Sequence, residues 1–344
     1  MSTVEGGKVW EPGGNLVESI RRIAVEEGLC GVVRVDIEGE GAFGSSHRGL
    51  LVSNATDTLF ATASGTKALT ALTVMSLVER NELALATSAR SILGQDLPLI
   101  DDRVTVEHLL AHRSGIGDYL DEDEVTEPND YLMPVPVCEL VVTEDYVAIL
   151  EGHRSKFAPD ERFEYCNGGY VVLALIIERV SGRQFHELVE ERVCRPAGMT
   201  DTAFLRSDEL PGRAAIGYLD DQGLRTNVFH LPVRGNGDGG IYTTAADIHT
   251  FWNALMDGAI VSPDTVADMI RPRSEDPMRS MRYGLGFWLD ASTDAISIHG
   301  FDTGVGFVSV HDRLARLTHT VLSNKSRGTW PCSQRLSSLL ADTC

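Results

Sequence analysis

Ser64 and Lys67 lie three residues apart in TASGTKALTALTVM (62–75), at the head of a long apolar run. At that spacing two side chains share one face of a helix and reach each other. A serine near a helix N-terminus also sits among unpaired backbone N–H groups, at the positive end of the helix dipole. Both favour a developing oxyanion. A lysine kept from water loses its preference for charge and can accept the serine proton. The pair therefore reads as a nucleophile with its base. It also fits a capped helix start with a solvated lysine, because S-x-x-K is common by chance.

Two further segments carry suitable groups. In FAPDERFEYCNGGYVVLALIIERVSG, Tyr165 and Asn167 occupy a short loop before an apolar helix. A phenol near a lysine can relay protons, and a carboxamide can orient that lysine or bind a substrate amide. The plain alternative is a turn with a partly buried tyrosine. In SIHGFDTGVGF, His299 stands at a strand end, where it could donate to substrate while strand-edge N–H groups cradle an oxyanion. The same residues suit an ordinary hairpin turn.

The elements that must position these groups are legible as periodicities. NLVESIRRIAVEEG reads as a helix with Asn15 as its cap and Gly28 as its stop. CGVVRVDIEGEGAFG alternates like a strand running into a turn, with SSHRGLLVS as its expected partner. The helix after Ser64 is apolar around most of its circumference and should be buried at the centre. Between about 100 and 280 the pattern is helical with long loops, including the acidic DYLDEDEVTEPNDY (118–131). There GYVVLALIIERVSG closes at Gly182, and TAADIHTFWNALMDG is capped by Thr244 with Asp247 three residues on. Beyond 280, YGLGFWLD, AISIHG, GVGFVSVH and LARLTHTVLSN have the spacing of an antiparallel meander, and CSQRLSSLLAD is a last helix. Residues 1–75 with 280–344 are thus expected to form an α/β sheet domain. Residues 76–279 would be a mainly helical inserted domain, with the cleft between the two.

Composition narrows the function. Fifty Asp and Glu against thirty Lys and Arg give a net charge of −20, which repels phosphate backbones and anionic membranes. No apolar run approaches the roughly 18 residues of a membrane span, and the start lacks a basic, apolar leader. The six cysteines lack metal-ribbon spacing and read as free thiols of a reducing cytosol, so a cytoplasmic address is expected. DTG (302–304) occurs once, whereas aspartic-protease chemistry needs two carboxylates sharing a proton. His108 and His112, beside Glu107, lack a third metal ligand. GNGDGG (235–240) lacks the G-K-[ST] ending of a phosphate loop, and no G-x-S-x-G elbow is present.

Taken together, the three reactive segments resemble the serine β-lactamase and penicillin-binding-protein superfamily, whose S-x-x-K signature is well known. The likeness is strongest to the branch with class C β-lactamases, D-alanyl-D-alanine carboxypeptidases, D-aminopeptidases and β-lactamase-fold esterases. It extends over residues 15–330 and includes LLAHRSGIGDY (109–119), RPAGMTDTAF (195–204), GDGGIYTTAADIHTFWNAL (237–255) and YGLGFW (283–288). The resemblance implies an antiparallel sheet flanked by helices, with Ser64 as acylated nucleophile, Lys67 as its base and Tyr165 as proton relay. It implies that Asn167 orients an amide and that His299 stands where relatives keep a lysine or histidine. The backbone N–H groups of Ser64 and Asp302 would form the oxyanion hole. Two positions depart from the pattern. Gly300 lacks the usual threonine hydroxyl, and Phe301 replaces a glycine that lets substrate approach the strand.

The function so implied is a serine hydrolase acting through an acyl-enzyme on a small ester or amide, without metal or organic cofactor. β-Lactam hydrolysis and D-alanyl or D-amino-acid peptidase activity are the alternatives within the same chemistry. A penicillin-binding sensor or inactive binding module is the alternative outside it.

Overall fold

The computed structural model describes residues 15–36, 39–121, 131–276 and 279–341. Residues 122–130 of the acidic stretch thus lie outside the described residues. Eight strands form one sheet: β1 (Gly31–Val35), β2 (Gly39–Phe43), β3 (Ser274–Asp276), β4 (Met281–Tyr283), β5 (Trp288–Asp290), β6 (Ala295–Asp302), β7 (Val305–Asp312) and β8 (Leu317–Ser323). Their order is β2-β1-β8-β7-β6-β5-β4-β3, and every neighbouring pair is antiparallel. The two ends of the chain meet where Gly31 pairs with Ser323 and Val35 with His319.

Side-chain alternation gives each sheet face a different cover. Val33 and Val35 of β1, with Leu317 and Val321 of β8, turn to one face. They pack there on Ile20, Ile23 and Ala24 of α1 (Asn15–Glu26) and on Cys332, Leu336 and Leu340 of the C-terminal helix Thr329–Ala341. Val32, Ile296, Ile298, Phe307 and Leu322 point the other way, into the larger core. That core includes α2 (Thr66–Glu79), α3 (Asn167–Ser181) and α4 (Ala245–Met256). Every residue of α2 from Thr66 to Leu77 is buried, as an all-round apolar helix requires. Burying each such Leu or Val side chain contributes about 1.5–3 kcal/mol before conformational entropy is charged against it.

The helix ends follow the sequence signals. Thr244 Oγ1 accepts from Asp247 N at 3.1 Å to cap α4, and Gly182, at φ 65°, closes α3 by donating to Glu178 O at 2.8 Å. Cys30, Cys166, Cys194 and Cys332 are buried free thiols and Cys138 is an exposed one.

Two strand expectations need correction. The partner of 31–35 is 39–43, one turn away, while Ser45–His47 pairs with Val52–Ser53 in a separate ribbon. YGLGFWLD is two strands. The chain turns at 284–287, where Gly284 N donates to Phe287 O at 2.9 Å. A Cβ at Gly284 would lie 2.1 Å from Met269 O, so only glycine lets the turn dock there.

Candidate active site

A short ribbon, Phe60–Ala61 paired with Tyr242–Thr243, anchors the turn that carries Ser64. Thr62 N donates to Ile241 O at 2.9 Å, and Thr66 Oγ1 accepts from Ile241 N at 3.1 Å while donating to Ala63 O at 2.8 Å. Ala63 takes φ 44°, a left-handed conformation costly for a residue with a Cβ and maintained here by these bonds. Ser64 therefore lies in the 3₁₀ turn Ala63–Gly65, just before α2, not inside the α-helix. The 3₁₀ spacing still stacks positions three apart, so Lys67 faces it.

The sheet closes on this turn through two glycines. A Cβ at Gly65 would strike the Phe307 ring at 2.4 Å, and one at Gly300 would sit 1.7 Å from Thr62 O. The missing threonine hydroxyl at position 300 thus has a steric cause, because β6 lies directly against the serine turn.

Lys67 is 2 % exposed, and its ammonium nitrogen donates three times: to Ser64 Oγ at 2.9 Å, Asn167 Oδ1 at 2.8 Å and Asp238 O at 2.7 Å. Asn167 Nδ2 donates to Leu120 O at 3.0 Å, which fixes the orientation of its amide. The two carbonyl-type acceptors can only accept, whereas a hydroxyl can also donate. With two N–H groups on Asn167 and Asp238, the remaining valence of Lys67 points at Ser64. That valence serves as a donor in the charged form and as an acceptor of the serine proton in the neutral one.

Tyr165 presents its ring face to this nitrogen, 5.0 Å from centroid to Nζ, and Tyr170 does so at 5.7 Å. Behind Tyr165 lie His112, with ring centroids 4.3 Å apart, and the stacked Trp288, at 6.0 Å. His112 Nδ1 accepts from Cys166 N at 3.1 Å, and burial, reinforced by the Lys67 charge, pushes its pKa well below the ordinary histidine range. His108 instead caps a helical turn with Thr105. Both histidines of the spacing weighed as a metal pair thus have other duties.

His299 lies on β6 two residues before Phe301. Its ring stacks on Trp288, with centroids 5.9 Å apart, and meets Trp330 edge-on at 4.6 Å. Burial of this half-buried residue among the aromatic rings, with the Arg279 charge, lowers its pKa to about 3. It is neutral at pH 7 and is not among the residues lining the cleft. Phe301 and Asp302 do line the cleft, and Phe301 is 55 % exposed.

The cleft is a cavity of about 260 Å³ with Ser64 and Asn167 in its wall. Two buried carboxyl groups, Asp238 in its wall and Asp118 behind it, escaped the sequence reading. Asp118 accepts from the backbone N of Asn167 at 2.5 Å and of Gly168 at 2.8 Å, capping α3. Burial raises its pKa to about 6, against the pull of those amides and of Leu120 N. Asp238 accepts from Tyr119 Oη at 2.5 Å, and burial raises its pKa too, opposed first by the Lys67 charge. Both belong to stretches that carried the family likeness, SGIGDY and GDGG, but isolated acids in loops gave no periodicity to mark them.

With this geometry in place, residues 25–335 match the Beta-lactamase family. The chain belongs to that family. It is similar to a penicillin-binding protein from Bacillus halodurans, 32% identical, with a TM-score of 0.87 over 93% of this chain and 99% of that one. Esterase EstB of Burkholderia gladioli is 29% identical over 244 residues, 62% of this chain and 61% of its own length. The D-amino acid amidase of Ochrobactrum anthropi SV3 shares the fold, with a TM-score of 0.78 at 23% identity over 96% of this chain and 99% of that one. The family match accounts for the antiparallel sheet with helices on both faces. No helix among the described residues is long and apolar enough to cross a membrane.

Proposed function

We propose that this family member is a serine hydrolase that cleaves small esters or amides through an acyl-enzyme. The observation that carries the reading is the Ser64–Lys67–Asn167 network, with a buried lysine nitrogen 2.9 Å from the serine hydroxyl. Ser64 Oγ attacks the carbonyl carbon as its proton passes to Lys67. Tyr165, whose ring covers that nitrogen, relays the proton to the leaving group. The N–H groups of Ser64 and Asp302 receive the oxyanion, each worth about 3 kcal/mol of barrier. Asn167 fixes Lys67, and water then releases the acid.

β-Lactams and peptides with a free C-terminus carry a carboxylate. No Lys or Arg among the described residues lines the cleft, and His299 is neutral at pH 7. This favours ester and amide substrates over β-lactams and D-alanyl peptides, and the esterase relative is consistent with it. Ser64→Ala should abolish cleavage of p-nitrophenyl butyrate and the fluorophosphonate adduct seen by intact mass. Fast nitrocefin turnover without ester cleavage would reverse the ranking. A penicillin adduct that persists on Ser64 would instead favour the sensor.

A further inference from the structure

Four large apolar side chains stand exposed together outside the cleft. Leu50, Leu51 and Val52 lie at the tip of the ribbon that pairs Ser45–His47 with Val52–Ser53, with Leu50 71 % and Leu51 87 % exposed. Leu224, also exposed, belongs to a second tip, the hairpin in which Leu219 N donates to Arg225 O at 3.1 Å and Tyr218 bridges to Thr226. The two tips brace each other. A Leu224 methyl lies 4.0 Å from the point where a Cβ would stand on Gly49. Arg48 Nη1 donates to Asp220 O at 2.8 Å and to Gly223 O at 3.2 Å, while Tyr218 Oη accepts from Arg48 N at 2.7 Å. The Arg48 guanidinium lies 4.2 Å from the centroid of the Tyr218 ring. A single exposed leucine needs no explanation, but neighbouring apolar groups held out on braced tips mark a contact surface.

The charge at these tips is opposite to that of the chain. Arg48, Arg225, Lys325 and Arg327 stand against the carboxylates of Asp220 and Asp221. Lys325 pairs with Asp221 at 2.8 Å, and Lys325, then Arg327 and Arg48, hold the Asp221 carboxyl below its ordinary range. Arg48, Arg225 and Arg327 form no ion pair among the described residues. Net charge alone predicts repulsion from an anionic surface, because the chain carries −20. Exposed charges more than about 8 Å away are largely screened at physiological salt, however, so the local excess of cations decides. Apolar tips beside Lys and Arg suit an anionic bilayer: the apolar groups enter the headgroup–acyl boundary while the cations stay among the phosphates. A protein partner would need a pocket fitted to two projecting tips, whereas a fluid bilayer closes around them.

We infer that the paired tips at Leu50–Val52 and Leu224 dock this protein on an anionic phospholipid surface, with the leucines inserted and Arg48, Arg225 and Arg327 against the lipid phosphates. From the second tip the chain runs directly into the cleft wall. Asn227, Val228 and His230 line the cleft, and Phe229 between them is 76 % exposed. Docking at the tips therefore brings the cleft rim near the lipid. Binding needs no turnover, so the inference is independent of the hydrolase reading.

Flotation of the intact protein with lipid vesicles tests this. Vesicles of phosphatidylcholine and phosphatidylserine, in about a two-to-one ratio, should carry at least about tenfold more protein than phosphatidylcholine alone. Salt at about 1 M should remove that difference. Leu50→Asn combined with Leu51→Asn should lower binding at least about tenfold. Asparagine suits the left-handed φ of 57° at position 51, so this variant should keep the melting temperature of the intact protein. Arg225→Gln combined with Arg327→Gln should abolish the preference for phosphatidylserine. Absence of flotation with both kinds of vesicle, or equal flotation that survives both variants, overturns the inference. A dimer of the intact protein that the leucine variant dissociates would assign the surface to a second copy and overturn it equally.

Discussion

At the residue scale, the site depends on hydrogen bonds that reach a single nitrogen from three parts of the chain. Asn167 holds Lys67 from α3, and Asp118 holds Asn167 by its backbone. Asp118→Ala should cost about 1–2 kcal/mol as a lost helix cap. It should also lower kcat more than it raises KM, because the amide that fixes the base is loosened while the cleft wall persists. Thermal melts and steady-state kinetics on the same preparation separate the two effects. A fall in melting temperature with unchanged kcat would show Asp118 to be a cap alone.

At the element scale, the contact between β6 and the serine turn is the tightest constraint. Gly300→Thr would restore the residue that relatives favour, yet its Cβ would fall 1.7 Å from Thr62 O. Either β6 moves or the turn does. We expect a loss of several kcal/mol, read as a lower melting temperature, and an activity loss out of proportion to it. Much of this architecture was legible beforehand. The period of α2, the caps at Thr244 and Gly182 and the C-terminal meander all follow from local pattern. The pairing of Gly31–Val35 with Gly39–Phe43 was misread because a glycine-rich strand carries little alternation. YGLGFWLD was misread because a close backbone approach, invisible in one dimension, decides its turn. At the site, Ser64, Lys67 and Asn167 were named from spacing and resemblance and do converge. Asp118, Asp238 and His112 were not, since each acts through a partner more than forty residues away.

At the scale of the whole molecule, buried histidines make stability depend on acidity. Burial holds His186 and His319 near a pKa of about 4, against an ordinary 6.5. The unfolded chain therefore takes up protons before the folded one as pH falls below 6.5. Stability present above that pH is lost on the way to 4, by about 1.4 kcal/mol per pH unit for each group. Asp118 opposes them: its pKa is raised to about 6 from an ordinary 3.8, so the folded form gains as that carboxyl protonates within the same range. His112 and His299, also pushed down, act with the first pair, and Asp238, also raised, acts with Asp118; the histidines outweigh the acids, and the unfolding midpoint should fall steadily between pH 6.5 and 4.5. A flat midpoint across that interval would contradict the assignment.

The strand order has a consequence for how the protein is made. β8, made after every other strand of the sheet, is seated between β1 and β7, and among the described residues β1 pairs with β2 alone until it arrives. The hairpin of β1 and β2 must therefore wait, while the other strands of the sheet are made, with its inner edge uncovered. A ribosome that stops short of Leu317 would release a chain whose β1 edge can never be covered.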